Sequence, residues 1–181
     1  MKKRTANVHG GSREPERGTW CTPKWLAELV GPWDLDPFSN PRSHVVSRMR
    51  CMLEDGGDGL GDHTIPGTFF QGGARGLGPD IVGTAARVWF QPPYTIVLEA
   101  FEHYKHTRFG ALLRFDPSTE WFSRIYRASE LVCVPRRRRV NFEPPPGIRS
   151  SSSSVPHALF YRRAEDATPA VLRACIAWRP R

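Results

Sequence analysis

The sequence predicts an α/β domain with a mostly parallel β-sheet and helices on both faces, and three observations lead to this prediction. Short apolar runs alternate along the chain with segments of helical periodicity, an order typical of parallel-sheet domains. The apolar run at residues 87–90 is followed at once by two prolines, so a buried strand must end there in a sharp turn. The length of 181 residues suits one domain with a substantial core.

The first predicted helix begins at Thr22-Pro23, with Thr22 as the N-cap and Pro23 at the first helical position. Apolar residues follow at helical spacing, and Gly31-Pro32 ends the helix. Residues 33–36 alternate like a short strand that stops at Pro37. Residues 43–52 are predicted to form a short helix.

After the second strand, residues 87–90, Thr95 is predicted to cap a helix whose apolar side chains follow a 3.6-residue period. Ser118 is predicted to open the next helix. Residues 170–178 fit either a helix or a strand, and the pattern leaves both open. The remaining predicted elements are strands at residues 110–115, 131–134 and 139–142, and a late edge strand at residues 157–161.

Two segments are predicted to lie outside the regular elements. Residues 1–18 are basic, rich in glycine and almost without large apolar side chains, which is typical of a flexible arm. Residues 19–181 then form the single domain. Within it, residues 55–84 hold ten of the sixteen glycines and are predicted to be a long insertion, a kind of segment that is usually functional or disordered.

The charge favours a polyanionic partner. The formal net charge is +8, from 26 Lys and Arg against 18 Asp and Glu, and such a balance favours nucleic acid. No segment reaches the ~20 apolar residues that a membrane span needs, and no apolar stretch follows the basic start to make a signal peptide. We therefore expect a cytoplasmic protein with no membrane partner.

Neither cysteines nor histidines form a metal-binding pattern. The four cysteines lie far apart without a C-x-x-C pair, so neither a zinc site nor a disulfide framework is predicted. His103 and His106 share a predicted helix face, but no further ligands are suggested near them. No metal is expected.

The tetrapeptide Gln91-Pro92-Pro93-Tyr94 follows the buried strand directly. In open α/β sheets the carboxyl edge of the strands is where ligands bind. The Gln91 amide oxygen and the Pro92 carbonyl can accept N–H bonds, and the Tyr94 ring can stack on a flat group. This corner is therefore predicted to hold an amino-bearing base.

A second polar segment ends the first strand. A carboxylate at such a strand end can hold an ammonium group, and Pro37-Phe38 can turn the chain across an apolar ring. Together they suit the methionine moiety of S-adenosylmethionine, whereas the alternative is a turn with two solvated aspartates. The residues concerned are Asp34, Leu35, Asp36, Pro37, Phe38, Ser39, Asn40 and Pro41.

Four blocks in order carry a more specific resemblance. The blocks are Trp20-x-Thr22-Pro23, Asp34-Leu35-Asp36-Pro37-x-Ser39-Asn40-Pro41, Asp58-Gly59-Leu60 and Pro92-Pro93-Tyr94. In this order the chain resembles the phage DNA N-6-adenine methyltransferase family over roughly residues 19–162. The resemblance implies a Rossmann-like methyltransferase fold, S-adenosylmethionine as cofactor and double-stranded DNA as substrate, in a bacterial host.

The resemblance also assigns roles to residues. The corner Gln91, Pro92, Pro93 and Tyr94 would be catalytic, binding an adenine flipped out of the duplex because its N6 cannot be reached inside the stack. Asp58 matches an acidic position near the cofactor or the base, although a solvated loop aspartate fits it equally. The residues matching cofactor-binding positions are Trp20, Thr22, Pro23, Asp34, Asp36, Pro37, Phe38, Ser39, Asn40 and Asp58.

Gln91 departs from the family pattern, which has Asn or Asp at this position. The extra methylene displaces the oxygen, and a misplacement of about 1 Å can cost about 10²-fold in rate. Three outcomes stay open: activity retained through a backbone shift, a changed target base, or a catalytically weak relic. The rival functions are a non-enzymatic nucleic-acid-binding protein and a methyltransferase of another planar amine or amide.

The four arginines Arg136, Arg137, Arg138 and Arg139 follow the strand predicted at residues 131–134. They are predicted to neutralise DNA phosphates, which would make binding salt-dependent. The alternative is a solvated basic turn. Only Arg139 falls on a block that resembles the family.

Overall fold

The computed structural model describes residues 20–52, 60, 86–136, 138–148 and 155–180. The predicted arm at residues 1–18, Asp58, Arg137 and, except for Leu60, the predicted insertion at 55–84 lie outside the described residues. The helices are α1 Lys24–Val30, α2 Val97–Tyr104, α3 Glu120–Ala128 and α4 Pro169–Ala174. The strands are β1 Trp33–Ser39, β2 Ser47–Met52, β3 Arg87–Phe90, β4 Arg108–Arg114, β5 Leu131–Pro135, β6 His157–Tyr161 and β7 Cys175–Trp178.

The seven strands form one mixed sheet in the order β2-β1-β3-β4-β6-β5-β7. Strands β2, β1, β3 and β4 are parallel. β6 is antiparallel to both β4 and β5, and β7 is antiparallel to β5. The predicted α/β class is confirmed, with the parallel part of the sheet at the β2 end.

Hydrophobic packing covers both faces of the sheet. Side chains alternate across the strands, so Val88 and Phe90 join one core cluster and Trp89 the other. The first cluster includes buried residues of α2 and α3, and the second includes those of α1 and α4. Helices therefore pack on both faces.

The helix predicted at residues 43–52 is wrong, since this segment contains the edge strand β2. Its residues alternate in burial, with Met49 and Cys51 buried, and it pairs in parallel with β1 through Trp33↔Ser47 and Leu35↔Met49. Pairing with β1 overrides the helix propensity of Arg and Met.

Two other strand predictions need correction. Residues 139–142 form no strand of the sheet; the chain there makes one isolated bridge nearby, between Cys21 and Glu143. The strand His157–Tyr161 is confirmed but is not at an edge, because it lies between β4 and β5. The sequence leaves residues 170–178 open between a helix and a strand. In the structure they form most of helix α4 and then strand β7.

The element ends also differ from prediction. Pro23, not Thr22, is the N-cap of α1. The helix predicted to open at Ser118 is capped instead by Thr119, whose hydroxyl accepts from Phe122 N at 3.4 Å. A 3-10 turn at Tyr94–Ile96 precedes α2, so Thr95 caps nothing. β1 continues through Pro37 to Ser39, since its register shifts there and the proline needs no ladder bond.

The amino ends of β3 and β4 are held by a buried carboxylate. The Arg108 guanidinium donates two hydrogen bonds, of 3.2 and 2.6 Å, to the Asp166 carboxylate. Arg87 Nε lies 3.1 Å from the same carboxylate. Fully desolvated charges are stable only when paired in this way. This network fixes the edge of the sheet opposite to the one described next.

Candidate active site

The carboxyl ends of β1 and β3 lie side by side at a reversal of the strand order. After β1 the chain continues to β2 on one side, and after β3 it continues to β4 on the other. In open α/β sheets this reversal leaves a crevice that binds ligands. The two polar segments predicted from the sequence, Asp36–Asn40 at the end of β1 and Gln91–Tyr94 after β3, are therefore brought to one place.

Buried polar side chains concentrate at this place. Thr22, Asp36, Ser39 and Asn40 are 4%, 3%, 1% and 4% exposed, and they are half of the buried polar or charged residues in the described part of the chain. Desolvating polar groups costs free energy unless they find partners. Such a concentration is typical of a binding site rather than of a core.

Asp36 has a strongly perturbed carboxyl. Burial raises the pKa of Asp36 to about 6, and the Ser39 hydroxyl and the Arg50 guanidinium offset part of this effect. Arg50 reaches this position because it is the register partner of Asp36 across β1 and β2. Perturbed carboxyls in a crevice are characteristic of functional sites.

Ser39 and Asn40 complete the end of β1. The Ser39 side chain is buried, and its hydroxyl favours the ionised form of Asp36. The Asn40 Oδ1 accepts from Arg42 N at 2.9 Å and from Cys21 Sγ at 3.3 Å. Asn40 thus ties the end of β1 to the segment that precedes α1.

Thr22 contacts the corner after β3. Its hydroxyl donates a hydrogen bond to Gln91 Oε1, joining residues 69 positions apart in the chain. The hydroxyl is available because Pro23 takes the N-cap position of α1. The cofactor-binding and catalytic segments predicted from the sequence are therefore in direct contact.

Tyr94 is held in place by Arg114 at the end of β4. The Tyr94 hydroxyl accepts from Arg114 N at 3.1 Å, and the Arg114 guanidinium lies 4.4 Å from the ring centroid. The Trp121 ring lies 6.2 Å away, centroid to centroid. Burial raises the pKa of Tyr94 to about 12, although Arg114 partly offsets it, so the phenol stays neutral at physiological pH.

Comparison with protein-family models, with curated proteins and with solved structures gives no match. None of the described helices is long and apolar enough to cross a membrane. In the described ranges, no group of three or more His, Cys, Asp and Glu side chains could hold a metal ion.

Some predicted residues lie apart from this crevice. Asp34 is at the amino end of β1, where its carboxylate accepts from Arg87 N at 2.9 Å, a structural contact at the opposite edge of the sheet. Trp20 and Pro23 flank the Cys21–Thr22 segment, with Trp20 half-buried. Asp34 is therefore the only described cofactor candidate that the fold places at the far edge.

The arginine cluster lies beyond β5. Arg136 is anchored to the protein, since its Nε donates to Cys175 O at 3.0 Å. The Arg138 guanidinium lies 5.7 Å from the Trp25 ring centroid, and Arg138 and Arg139 are exposed. β5 runs parallel to β4, so the cluster emerges at the same edge of the sheet as the crevice.

Three residues of the site were missed from the sequence. Arg50 could not be found because β2 was predicted as a helix. Arg114 is next to last in the strand predicted at residues 110–115, and the rule that ligands bind at carboxyl ends of strands could have identified it. Trp121 follows the helix start predicted at Ser118, and only the fold shows that it lies beside Tyr94.

Proposed function

We propose that this protein is an S-adenosylmethionine-dependent methyltransferase of the adenine N6 amino group in DNA, built on a Rossmann-like methyltransferase fold. The observation that carries the proposal is the buried polar cluster at the end of β1, placed against the Gln91-Pro92-Pro93-Tyr94 corner at the strand-order reversal. We expect the buried polar cluster to take an ammonium-bearing ligand and the adjacent corner to take a flat amine.

The end of β1 fits the cofactor. Asp36 would hold the ammonium group of the methionine moiety, and the buried Ser39 hydroxyl would supply a further polar contact. Phe38, which is 7% exposed, and Pro37 present apolar surface beside them. When bound, S-adenosylmethionine supplies an electrophilic methyl group on its sulfonium.

The corner after β3 fits the target base. The Gln91 side-chain oxygen and the Pro92 carbonyl oxygen would each accept a hydrogen bond from the N6 amino group. These two bonds would direct the nitrogen lone pair towards the methyl carbon. This is orientation and electrostatic stabilisation rather than general-base catalysis. Tyr94 would stack on the flipped base, a contact worth roughly 1–3 kcal/mol per base.

Charge supports DNA as the substrate. The net charge is +8, and the exposed Arg138 and Arg139 emerge at the same edge of the sheet as the crevice. The four cysteines are free thiols and buried, which suits the reducing cytoplasm of a bacterial host.

The test is methyl transfer from radiolabelled S-adenosylmethionine to adenine-containing duplex DNA, with the product nucleoside identified as N6-methyl-2′-deoxyadenosine. We expect transfer by the native chain and its loss in Asp36→Asn. Glu99→Gln, an exposed change on α2, is the matched control. If the protein binds DNA but has no affinity for S-adenosylmethionine, the result would support a non-enzymatic nucleic-acid-binding protein. Methyl transfer to RNA or to an amide side chain would support a methyltransferase of another planar amine or amide.

A further inference from the structure

We propose that the Thr22 hydroxyl is the positioning group for Gln91: its hydrogen bond to Oε1 fixes the carboxamide so that the remaining oxygen lone pair faces the amino group to be methylated. The inference rests on the proposed function and deepens it. It assigns Thr22 a part in the reaction in addition to a place beside the cofactor.

The first support is the local structure of Thr22. Its side chain is 4% exposed, so a hydroxyl there must be hydrogen-bonded to offset desolvation. Capping of α1 does not use it, because Pro23 is the N-cap and the helix has no side-chain cap. The bond to Gln91 is therefore the contact that satisfies it.

The second support is that the backbone around Thr22 is held from both sides. Cys21 and Glu143 exchange two backbone hydrogen bonds of 3.0 and 2.9 Å. Lys24 N donates to the Glu143 carboxylate at 3.1 Å, and Cys21 Sγ donates to Asn40 at 3.3 Å. Thr22 itself is β-branched and so restricted at χ1. The position of the Thr22 hydroxyl is therefore restricted by both its backbone and its χ1 angle.

The third support is the length of Gln91. A glutamine has one more rotatable bond than the asparagine or aspartate expected here, so its oxygen needs an additional restraint. A carboxamide oxygen has two lone pairs, and Thr22 occupies only one of them. Gln91→Asn would move the side-chain oxygen away from the Thr22 hydroxyl. We therefore expect this change to lower methyltransferase activity, although Asn is one of the two residues expected at this position.

The test is a double-mutant cycle of Thr22→Val and Gln91→Asn, with Thr22→Ser as the variant that keeps the hydroxyl. Thr22→Val is expected to lower kcat by about ten- to a hundredfold, the size of effect that misplacing a group by roughly 1 Å produces. Thr22→Ser should restore most of it. In the Gln91→Asn background the same Thr22→Val change should have almost no further effect, since the bond is already lost.

Two further measurements separate positioning from other roles. Thr22→Val should lower kcat far more than it raises the dissociation constant of S-adenosylhomocysteine, whereas a pure cofactor contact would raise that constant and leave kcat unchanged. The side-chain amide resonances of Gln91 should shift in Thr22→Val whether or not methyl transfer is detected. Unchanged resonances, or effects on kcat that simply multiply in the double variant, would overturn the inference. Absence of transfer by the native chain, with shifted resonances, would count against the proposed function alone.

Discussion

At the scale of single residues, Asp36 links the chemistry of the crevice to pH. Burial raises its pKa to about 6, so the empty site holds a neutral acid below that pH and a carboxylate above it. An ammonium group binds only the carboxylate form favourably. Ligand affinity should therefore rise as pH rises through about 6, with a proton released on binding below it.

We expect the affinity for S-adenosylhomocysteine, which carries the same ammonium group as the cofactor, to increase about tenfold between pH 5 and pH 7. Isothermal titration calorimetry in buffers of different ionisation enthalpy would measure both the affinity and the released proton. Asp36→Asn should weaken binding at pH 7 and remove this dependence. Adenosine, which lacks the ammonium group, is the matched control ligand; an equal pH dependence for adenosine would contradict the assignment.

Tyr94 gives a second prediction at this scale. Its ring is the surface on which a flipped base would stack, while its hydroxyl accepts from Arg114 N. Tyr94→Ala should lower kcat/KM for adenine-containing DNA by a factor corresponding to roughly 1–3 kcal/mol, and Tyr94→Phe should cost far less. Steady-state kinetics on one oligonucleotide would compare the two. Equal losses would show that the hydroxyl, not the ring, matters.

At the scale of elements, Trp33 of β1 packs closely against Gly110 of β4. A Cβ at Gly110 would lie 2.2 Å from Trp33 Cη2, and Trp33 is 1% exposed. Glycine is therefore required by the close approach of the indole rather than by its backbone angles. This contact sets how β4, which carries Arg114, sits relative to the crevice.

Gly110→Ala is expected to lower the free energy of unfolding by about 1–3 kcal/mol, the usual cost of overpacking a core. Urea denaturation followed by circular dichroism would measure it. Trp33→Leu in the same chain makes room for the methyl group, so the cost of Gly110→Ala should shrink in that background. Simple addition of the two costs would contradict a direct clash between them.

Sequence patterns identify the elements that are mostly apolar. Residues 87–90 and 157–161 are predicted as strands because each continues, after one polar residue, as an uninterrupted apolar or aromatic run. Residues 47–52 were missed although they alternate polar and apolar, since Arg and Met also favour helices. A local pattern cannot reveal whether a neighbouring strand is present to pair with.

The candidate site likewise contains one part that the sequence predicts and others that only the fold reveals. The Gln91-Pro92-Pro93-Tyr94 corner could be predicted because two prolines force the turn within four residues. The bond from Thr22 to Gln91 could not, because it depends on how β3 and the start of α1 meet in the folded chain. Arg114 likewise becomes part of the site only because β4 lies next to β3.

At the scale of the whole molecule, exposed arginines lie at the same edge of the sheet as the crevice. Arg138 and Arg139 are exposed beyond β5, on the side of α1. On the side of α2 and α3, Arg124 is paired with Glu102 at 3.0 Å and with Glu120 at 2.6 Å. We therefore expect DNA to be bound from the crevice towards the arginine cluster.

Replacing Arg138 and Arg139 together by alanine should reduce the slope of log Kd against log salt concentration by about two, since each phosphate contact contributes about 0.9. Fluorescence anisotropy with a labelled duplex between low and moderate salt would measure the slope. Replacing Arg124 and Arg127 of α3 together by alanine removes the same charge from the opposite face and should leave the slope unchanged. Equal effects of both changes would indicate a response to net charge alone.

The position of Trp121 gives the protein an intrinsic optical signal. Trp33 and Trp89 are each 1% exposed within the core, whereas Trp121 is only partly buried and lies beside Tyr94. A nucleobase seated on Tyr94 would lie next to the Trp121 indole. Because the chain holds six tryptophans, the part of the fluorescence quenching that Trp121→Phe removes would report binding of the base without any attached dye.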